Sequence, residues 1–96
     1  MIKPIEIISA HPYSVICLFS SGETRELNVE PLLVAQKDIQ GVNKLFDKKI
    51  FSQVTIGEVG QLLWKDIATM KNEKGELISA EYDISPEFAY LQSIPV

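Results

Sequence analysis

The chain has 96 residues, of which 46% are hydrophobic and 23% are charged, and its formal net charge is −4. This length predicts one domain with one core, and the composition excludes the disordered and fibrous classes. The only cysteine, Cys17, excludes an internal disulfide, and the longest apolar run, Val15 to Phe19, is far shorter than the roughly 18 residues of a membrane helix. We therefore expect a mature cytoplasmic protein that does not span a membrane.

The first part of the chain predicts three strands and a helix. Residues 2–10 are rich in isoleucine, and residues 15–19 are apolar on both faces, which is typical of a central strand. Gly22 supplies a turn, and residues 24–29 then alternate between polar and apolar side chains, so a hairpin is expected. Pro31 and Gly41 mark the start and the end of a short helix.

The middle of the chain is less regular. Residues 42–50 favour a helical turn capped by Asn43, with an irregular loop as the alternative. The side chains of residues 51–56 alternate between two faces, which predicts a strand. Gly57 and Gly60 then predict a turn rather than a phosphate-binding loop, because such a loop needs more glycine, a lysine and a following helix.

The C-terminal part predicts a long hairpin and a helix. Residues 62–70 and 77–84 form the two strands of this hairpin, which projects from the sheet and turns at residues 71–76. Ser85 is the expected N-cap of the helix and Pro86 its first residue. The whole pattern predicts an α+β fold: an antiparallel sheet of five or six strands, a short central helix and a C-terminal helix packed on the sheet.

The acidic excess lies near the C-terminus. Acids and bases cancel over residues 1–65, whereas residues 66–87 hold six acids against Lys71 and Lys74, which accounts for the whole net charge. Such a surface argues against direct nucleic-acid binding and favours a basic protein partner, while a solvated face that keeps the domain soluble is the alternative. The candidate partner-binding residues are Asp66, Glu73, Glu76, Glu81, Asp83, Glu87, Trp64 and Tyr82. For the two aromatic residues, a place in the core is the other interpretation.

No group of residues predicts catalysis, a metal site or a cofactor. His11 is the only histidine, so multi-histidine metal sites and a serine–histidine nucleophile are both unsupported. Glu81 and Asp83 fall on one strand face, a spacing that exposed hairpins often show. Arg25, the sole arginine, is interpreted as a paired residue, an interface residue or a charge that extends into solvent at a sheet edge.

Three motifs carry a family resemblance: "FSSG" at Phe19–Gly22, "LFD" followed by "FSQVTI" within Leu45–Ile56, and "DISPE" at Asp83–Glu87. Together they resemble the small bacterial family named domain of unknown function 2442 (DUF2442), over nearly the whole chain. The resemblance implies an α+β fold and no established activity or catalytic residues; some relatives carry a helix-turn-helix domain, and others look like partners of small toxin-like proteins. Family members reach the last motif soon after the tryptophan, so residues 66–82 look like an acidic hairpin inserted in a single domain of residues 1–96.

These observations predict a non-catalytic protein–protein interaction domain without a cofactor. It would be either the acidic neutralising partner of a small basic, toxin-like protein or a homodimer that pairs through an exposed sheet edge. An enzyme and a small-molecule sensor beneath the aromatic residues are the alternatives. A sizeable apolar cavity beside Trp64 would favour the sensor.

Overall fold

The structure is a computed structural model that describes all 96 residues. It has seven strands: β1 (Pro4–His11), β2 (Ser14–Phe19), β3 (Thr24–Asn28), β4 (Thr55–Ile56), β5 (Leu62–Lys71), β6 (Leu77–Ile84) and β7 (Ile94–Pro95). They form two antiparallel sheets, ordered β1-β2-β3-β7 and β4-β5-β6. The predicted α+β class is confirmed, whereas the prediction of one sheet with five or six strands is wrong.

The first sheet follows its sequence pattern closely. β2 lies between β1 and β3, and its residues Val15, Cys17 and Phe19 are buried. Gly22 has a φ of +92° in the turn to β3, a conformation that glycine adopts without a steric penalty. The expected hairpin and the central position of its first strand are therefore confirmed.

The helices are short: α1 (Glu30–Ala35), α2 (Lys48–Phe51) and α3 (Pro86–Gln92), with a 3-10 helix at Val42–Phe46. None of them has the length and apolar character that crossing a bilayer requires. Ser85 caps α3 as predicted, because its hydroxyl accepts the N–H of Phe88 at 3.2 Å. The short helix after the third strand is confirmed as α1, but its predicted end at Gly41 is wrong, since the helix ends at Ala35 and residues 36–41 form turns.

Two predictions for the middle of the chain are wrong. Asn43 lies inside the 3-10 helix, and the cap is Asp47, whose carboxylate accepts the N–H groups of Lys49 and Ile50 at 2.9 and 3.2 Å. This cap holds residues 48–51 in a helical turn, so the strand predicted from residue 51 is reduced to β4.

Arg25 joins the C-terminal segment to the first sheet. Its guanidinium donates to the Ser93 hydroxyl at 2.9 Å and to the carbonyl oxygens of Tyr90 and Ser93 at 3.1 and 2.6 Å. It also pairs with the Glu23 carboxylate at 2.9 Å and lies 4.4 Å from the centroid of the Tyr90 ring. Arg25 is thus a paired residue, and the pairing fixes α3 and β7 against β3.

The core is one cluster of 16 buried residues that come from both sheets and from the helices between them. Trp64 is its largest buried side chain, and the indole N–H donates to the backbone oxygen of Phe51 at 2.9 Å. The Trp64 ring contacts those of Phe51 and Tyr82, with centroids 5.6 and 6.0 Å apart. These contacts tie the second sheet to α2.

Candidate interaction surface

The hairpin of β5 and β6 extends beyond the rest of the second sheet. β4 pairs only with Leu62 and Leu63, so the hairpin is two-stranded over residues 68–80, which we call the arm. The turn at its tip is the predicted one, with the N–H of Asn72 bonded to the oxygen of Glu76 at 2.9 Å and that of Gly75 to the oxygen of Asn72 at 3.0 Å. The molecule is accordingly elongated and measures 45 × 24 × 21 Å.

A β-bulge marks the root of the arm. Trp64 pairs with Tyr82 and Ala68 with Ala80, so β5 takes four residue steps where β6 takes two. Within the bulge, Asp66 has a φ of +56°, in the left-handed region, and Ile67 is buried in the core. The bulge therefore lets β5 send a side chain into the body while the arm continues outward.

One face of the arm is apolar and uncovered. The pairs Ala68–Ala80 and Met70–Ile78 lie on the same side of β6 as the buried Tyr82. Met70 remains 52% exposed and Ile78 43% exposed. The apolar pattern of the core thus continues along the arm past the point where the body covers it.

The outer edge of β6 has no partner strand, since β6 is the last strand of its sheet. Asn72 and Glu76 face each other as a hydrogen-bonded pair at the tip. Because the ladder alternates, the N–H and C=O groups of Leu77, Ser79, Glu81 and Asp83 point away from β5. We call these four residues the free edge. None of the backbone hydrogen bonds in turns and loops involves residues 77–84.

The opposite edge of the arm supports this alternation. Thr69 lies opposite Ser79 in the ladder, and its N–H points outward to the backbone oxygen of Gln40 at 3.1 Å. A loop therefore covers part of the β5 edge. β6 has neither this cover nor the proline, lysine or bulge that commonly protects an edge strand.

The predicted acidic residues are exposed but do not form one patch. Asp66 is in the bulge, Glu73 and Glu76 are at the tip of the arm, Glu81 and Asp83 are on β6, and Glu87 is in the first turn of α3. At the tip, the two acids stand beside Lys71 and Lys74, so the charges there cancel. Of the six acids, only Glu81 and Asp83 belong to the free edge.

Trp64 and Tyr82, the two predicted aromatic residues, are core residues. They are 1% and 8% exposed, and the Tyr82 hydroxyl donates to the side-chain oxygen of Gln36. In this conformation they offer a partner almost no surface. Sequence reasoning instead missed Leu77 and Ser79, which the alternation of the hairpin ladder would have indicated once its register was known.

A cavity of about 320 Å³ lies beside Trp64, at the root of the arm. It is lined by Lys44, Ile50, Gln53, Thr55, Trp64, Lys65, Asp66 and Ile67. Only three of these eight residues are apolar, and Trp64 is almost completely covered. The cavity therefore differs from the apolar one that would favour a small-molecule sensor.

No group of three or more histidine, cysteine, aspartate or glutamate side chains is placed to hold a metal ion. No protein-family model, no curated protein and no solved structure matches the chain. The resemblance to domain of unknown function 2442 therefore stays a prediction, and the arm and its free edge are the features of the molecule that support a function.

Proposed function

We propose that this protein is a protein–protein interaction domain that binds an extended strand of its partner along β6. The observation that supports this most is the free edge of β6, an eight-residue strand whose outer side is unpaired and has no proline, lysine, bulge or covering loop, although it carries the charges of Glu81 and Asp83. Adding a strand to such an edge is a common way in which proteins bind each other.

The apolar face of the arm supports the same role. A two-stranded hairpin is at best marginally stable in water unless a further strand or a packed surface supports it. In the arm, no further strand or packed surface covers the exposed side chains of Met70 and Ile78. A strand added beside β6 would widen the sheet and cover Ile78 from one side.

The proposal includes a non-catalytic role without a cofactor and a cytoplasmic location. Cys17 is buried and unpaired, which suits a reducing compartment. Burial raises the pKa of the Cys17 thiol to about 11, so this thiol is not the activated nucleophile of an enzyme.

A second candidate function is the neutralisation of a basic, toxin-like protein. It is favoured by Glu81 and Asp83, which lie two residues apart on the exposed side of β6. Such a complex would depend on charge and would weaken in high salt. Strand addition depends mainly on backbone hydrogen bonds and would survive the same salt.

The variant Ser79→Pro tests strand addition. The Ser79 N–H points away from β5, so proline removes an outward donor without breaking the ladder of the arm. We expect this variant to lose at least about tenfold in partner binding, the effect of one lost hydrogen bond and a steric block, with little change in its own unfolding midpoint. The tagged protein and the variant are compared by pull-down from the native lysate, at low and high salt, with light scattering of the eluted species.

Ser79→Ala is the matched control, since it keeps the backbone donor and should bind as the unchanged protein does. Binding that Ser79→Pro leaves intact would rule out the β6 edge as the binding surface. Binding that is lost in high salt and in the variant Glu81→Gln/Asp83→Asn, but kept in Ser79→Pro, would establish the second candidate instead.

A further inference from the structure

We propose that the strand that pairs with β6 is the β6 of a second copy of this chain, so that two three-stranded sheets join into one sheet of six strands. This inference rests on the proposed function. It specifies the partner and also the register, because the charges of the free edge permit few ways for β6 to meet itself.

Two copies of β6 related by a two-fold axis pair antiparallel, and the axis passes through one residue or between two. An axis through a residue places odd-numbered residues opposite odd-numbered ones, so the outward N–H and C=O groups of the two copies meet wherever the two strands overlap. It also keeps the apolar faces of both arms on the same side of the joined sheet. An axis between two residues would place odd-numbered residues opposite even-numbered ones, so the outward groups of one copy would meet groups of the other that point inward to its own β5.

The two acids then limit the position of the axis. An axis through Glu81 would place this residue opposite itself, and an axis through Tyr82 would place Glu81 opposite Asp83. Like charges that face each other directly across a sheet are destabilising. Axes through Ser79 or Ala80 avoid both oppositions, since each places the acids opposite neutral residues.

The axis through Ala80 forms more contacts than the axis through Ser79. It pairs Leu77 with Asp83 and Ser79 with Glu81, each twice, which gives four hydrogen-bonded residue pairs along the joined edge. The axis through Ser79 gives three, since Asp83 then faces the turn at Gly75. The structure thus favours the axis through Ala80.

The apolar side chains favour the same register. The axis through Ala80 places Ile78 opposite the partner subunit's Tyr82, which is 8% exposed, so the two side chains meet only at the rim of the tyrosine ring. Ile78 is 43% exposed in the single chain, so it gains cover from this pairing. At the axis itself, two alanine side chains meet, and their small size permits the close approach of a non-hydrogen-bonded pair.

A disulfide crosslink tests both the partner and the register. In the proposed dimer, the two copies of residue 80 face each other with Cα atoms about 4.5 Å apart, within the range that a disulfide spans. We expect Ala80→Cys to form a covalent dimer under mild oxidation at concentrations of about 100 μM. This concentration suits the micromolar affinity expected of an interface smaller than about 800 Å² per partner. The native Cys17 is 1% exposed and does not interfere.

Ser79→Cys is the matched control, since in this register its two copies are diagonal neighbours more than about 7 Å apart and do not crosslink. An equimolar mixture of Ser79→Cys and Glu81→Cys should form the mixed dimer, because these residues face each other. This mixture also keeps the test valid if Ala80→Cys folds poorly, which its thermal melt in reductant would reveal.

Each other outcome overturns the proposal in a different way. Crosslinking of Ser79→Cys alone, without Ala80→Cys or the mixed dimer, would overturn the register. A protein that stays monomeric at 100 μM and forms no crosslink would overturn the second copy as partner. If the pull-down then captures a lysate protein whose binding Ser79→Pro abolishes, the proposed function stays intact. If it captures none, the proposed function is overturned as well.

Discussion

Gly41→Ala is expected to lower the free energy of unfolding by about 3 kcal/mol or more, the sum of a steric clash and a strained backbone. A β-carbon at this position would lie 1.9 Å from the backbone oxygen of Ile67 and 3.0 Å from its carbonyl carbon. Gly41 also has a φ of +96°, which alanine adopts at a cost. The loop that contains Gly41 would have to move away from the bulge at the root of the arm.

Gly75→Ala is the matched control for Gly41→Ala. Gly75 has a φ of +79° at the tip of the arm, and a β-carbon there would meet nothing within 4 Å. This variant should therefore lose only the conformational part, about 1 kcal/mol. At about 5 °C per kcal/mol for a chain of this size, Tm should fall by about 15 °C in Gly41→Ala and by about 5 °C in Gly75→Ala. Equal shifts would show that the loop does not press on the bulge.

Alkaline pH is expected to destabilise the fold through Cys17 and Tyr82. Burial raises the pKa of the Cys17 thiol from 9.0 to about 11. Burial, and to a lesser degree the charge of Asp83, raises the pKa of the Tyr82 hydroxyl from 10.0 to about 12. The unfolded chain thus releases both protons at lower pH than the folded chain does. Their stabilising contribution is complete below pH 9 and is lost as the pH rises through 11 and 12.

A shift of two pKa units corresponds to about 2.7 kcal/mol, and residual solvent screening lowers the expected loss to about 2 kcal/mol for each group. The measurement is the urea midpoint at pH 8, 9, 10 and 11, for the unchanged protein and for Cys17→Ala. The variant starts from a lower stability, because it leaves a small cavity in the core. Its midpoint should then fall less between pH 9 and 11. An identical fall in both proteins would show that the Cys17 thiol ionises as readily in the folded state as in the unfolded one.

Sequence reasoning succeeded where structure is determined locally. The alternation along β3, the glycine turn at Gly22 and the cap of α3 at Ser85 each depend on residues within a few positions of one another. The long hairpin was predicted with the correct strands because a polar turn at residues 71–76 separates two apolar patterns. These signals do not require knowledge of the rest of the fold.

Prediction from the sequence failed where residues that are distant in the chain determine the local structure. The division into two sheets depends on how the core packs, and the short helix at residues 48–51 depends on the Asp47 cap overriding an alternating pattern. The pairing of Arg25 with Ser93 joins residues 68 positions apart. The bulge at Asp66 interrupts a regular strand so that Ile67 can enter the core, which no local pattern indicates.

The same distinction explains what was found of the candidate site. The six acids were predicted as partner-binding candidates from their charge alone, and all six are exposed. Their distribution over the bulge, the tip, β6 and α3 is a property of the fold. Trp64 and Tyr82 are residue types that interfaces favour, but both lie in the core. The free edge becomes visible only when the order of strands is known.

Hydrogen exchange of the β6 amides tests the central claim most directly. The N–H groups of Ser79, Glu81 and Asp83 point away from β5, so only a second β6 strand would protect them. We predict slow exchange of these amides at about 500 μM protein and fast exchange at about 5 μM, while Ile78 and Ala80 stay protected by β5 at both concentrations. Fast exchange of Ser79, Glu81 and Asp83 at both concentrations would contradict the pairing of β6 with a second copy.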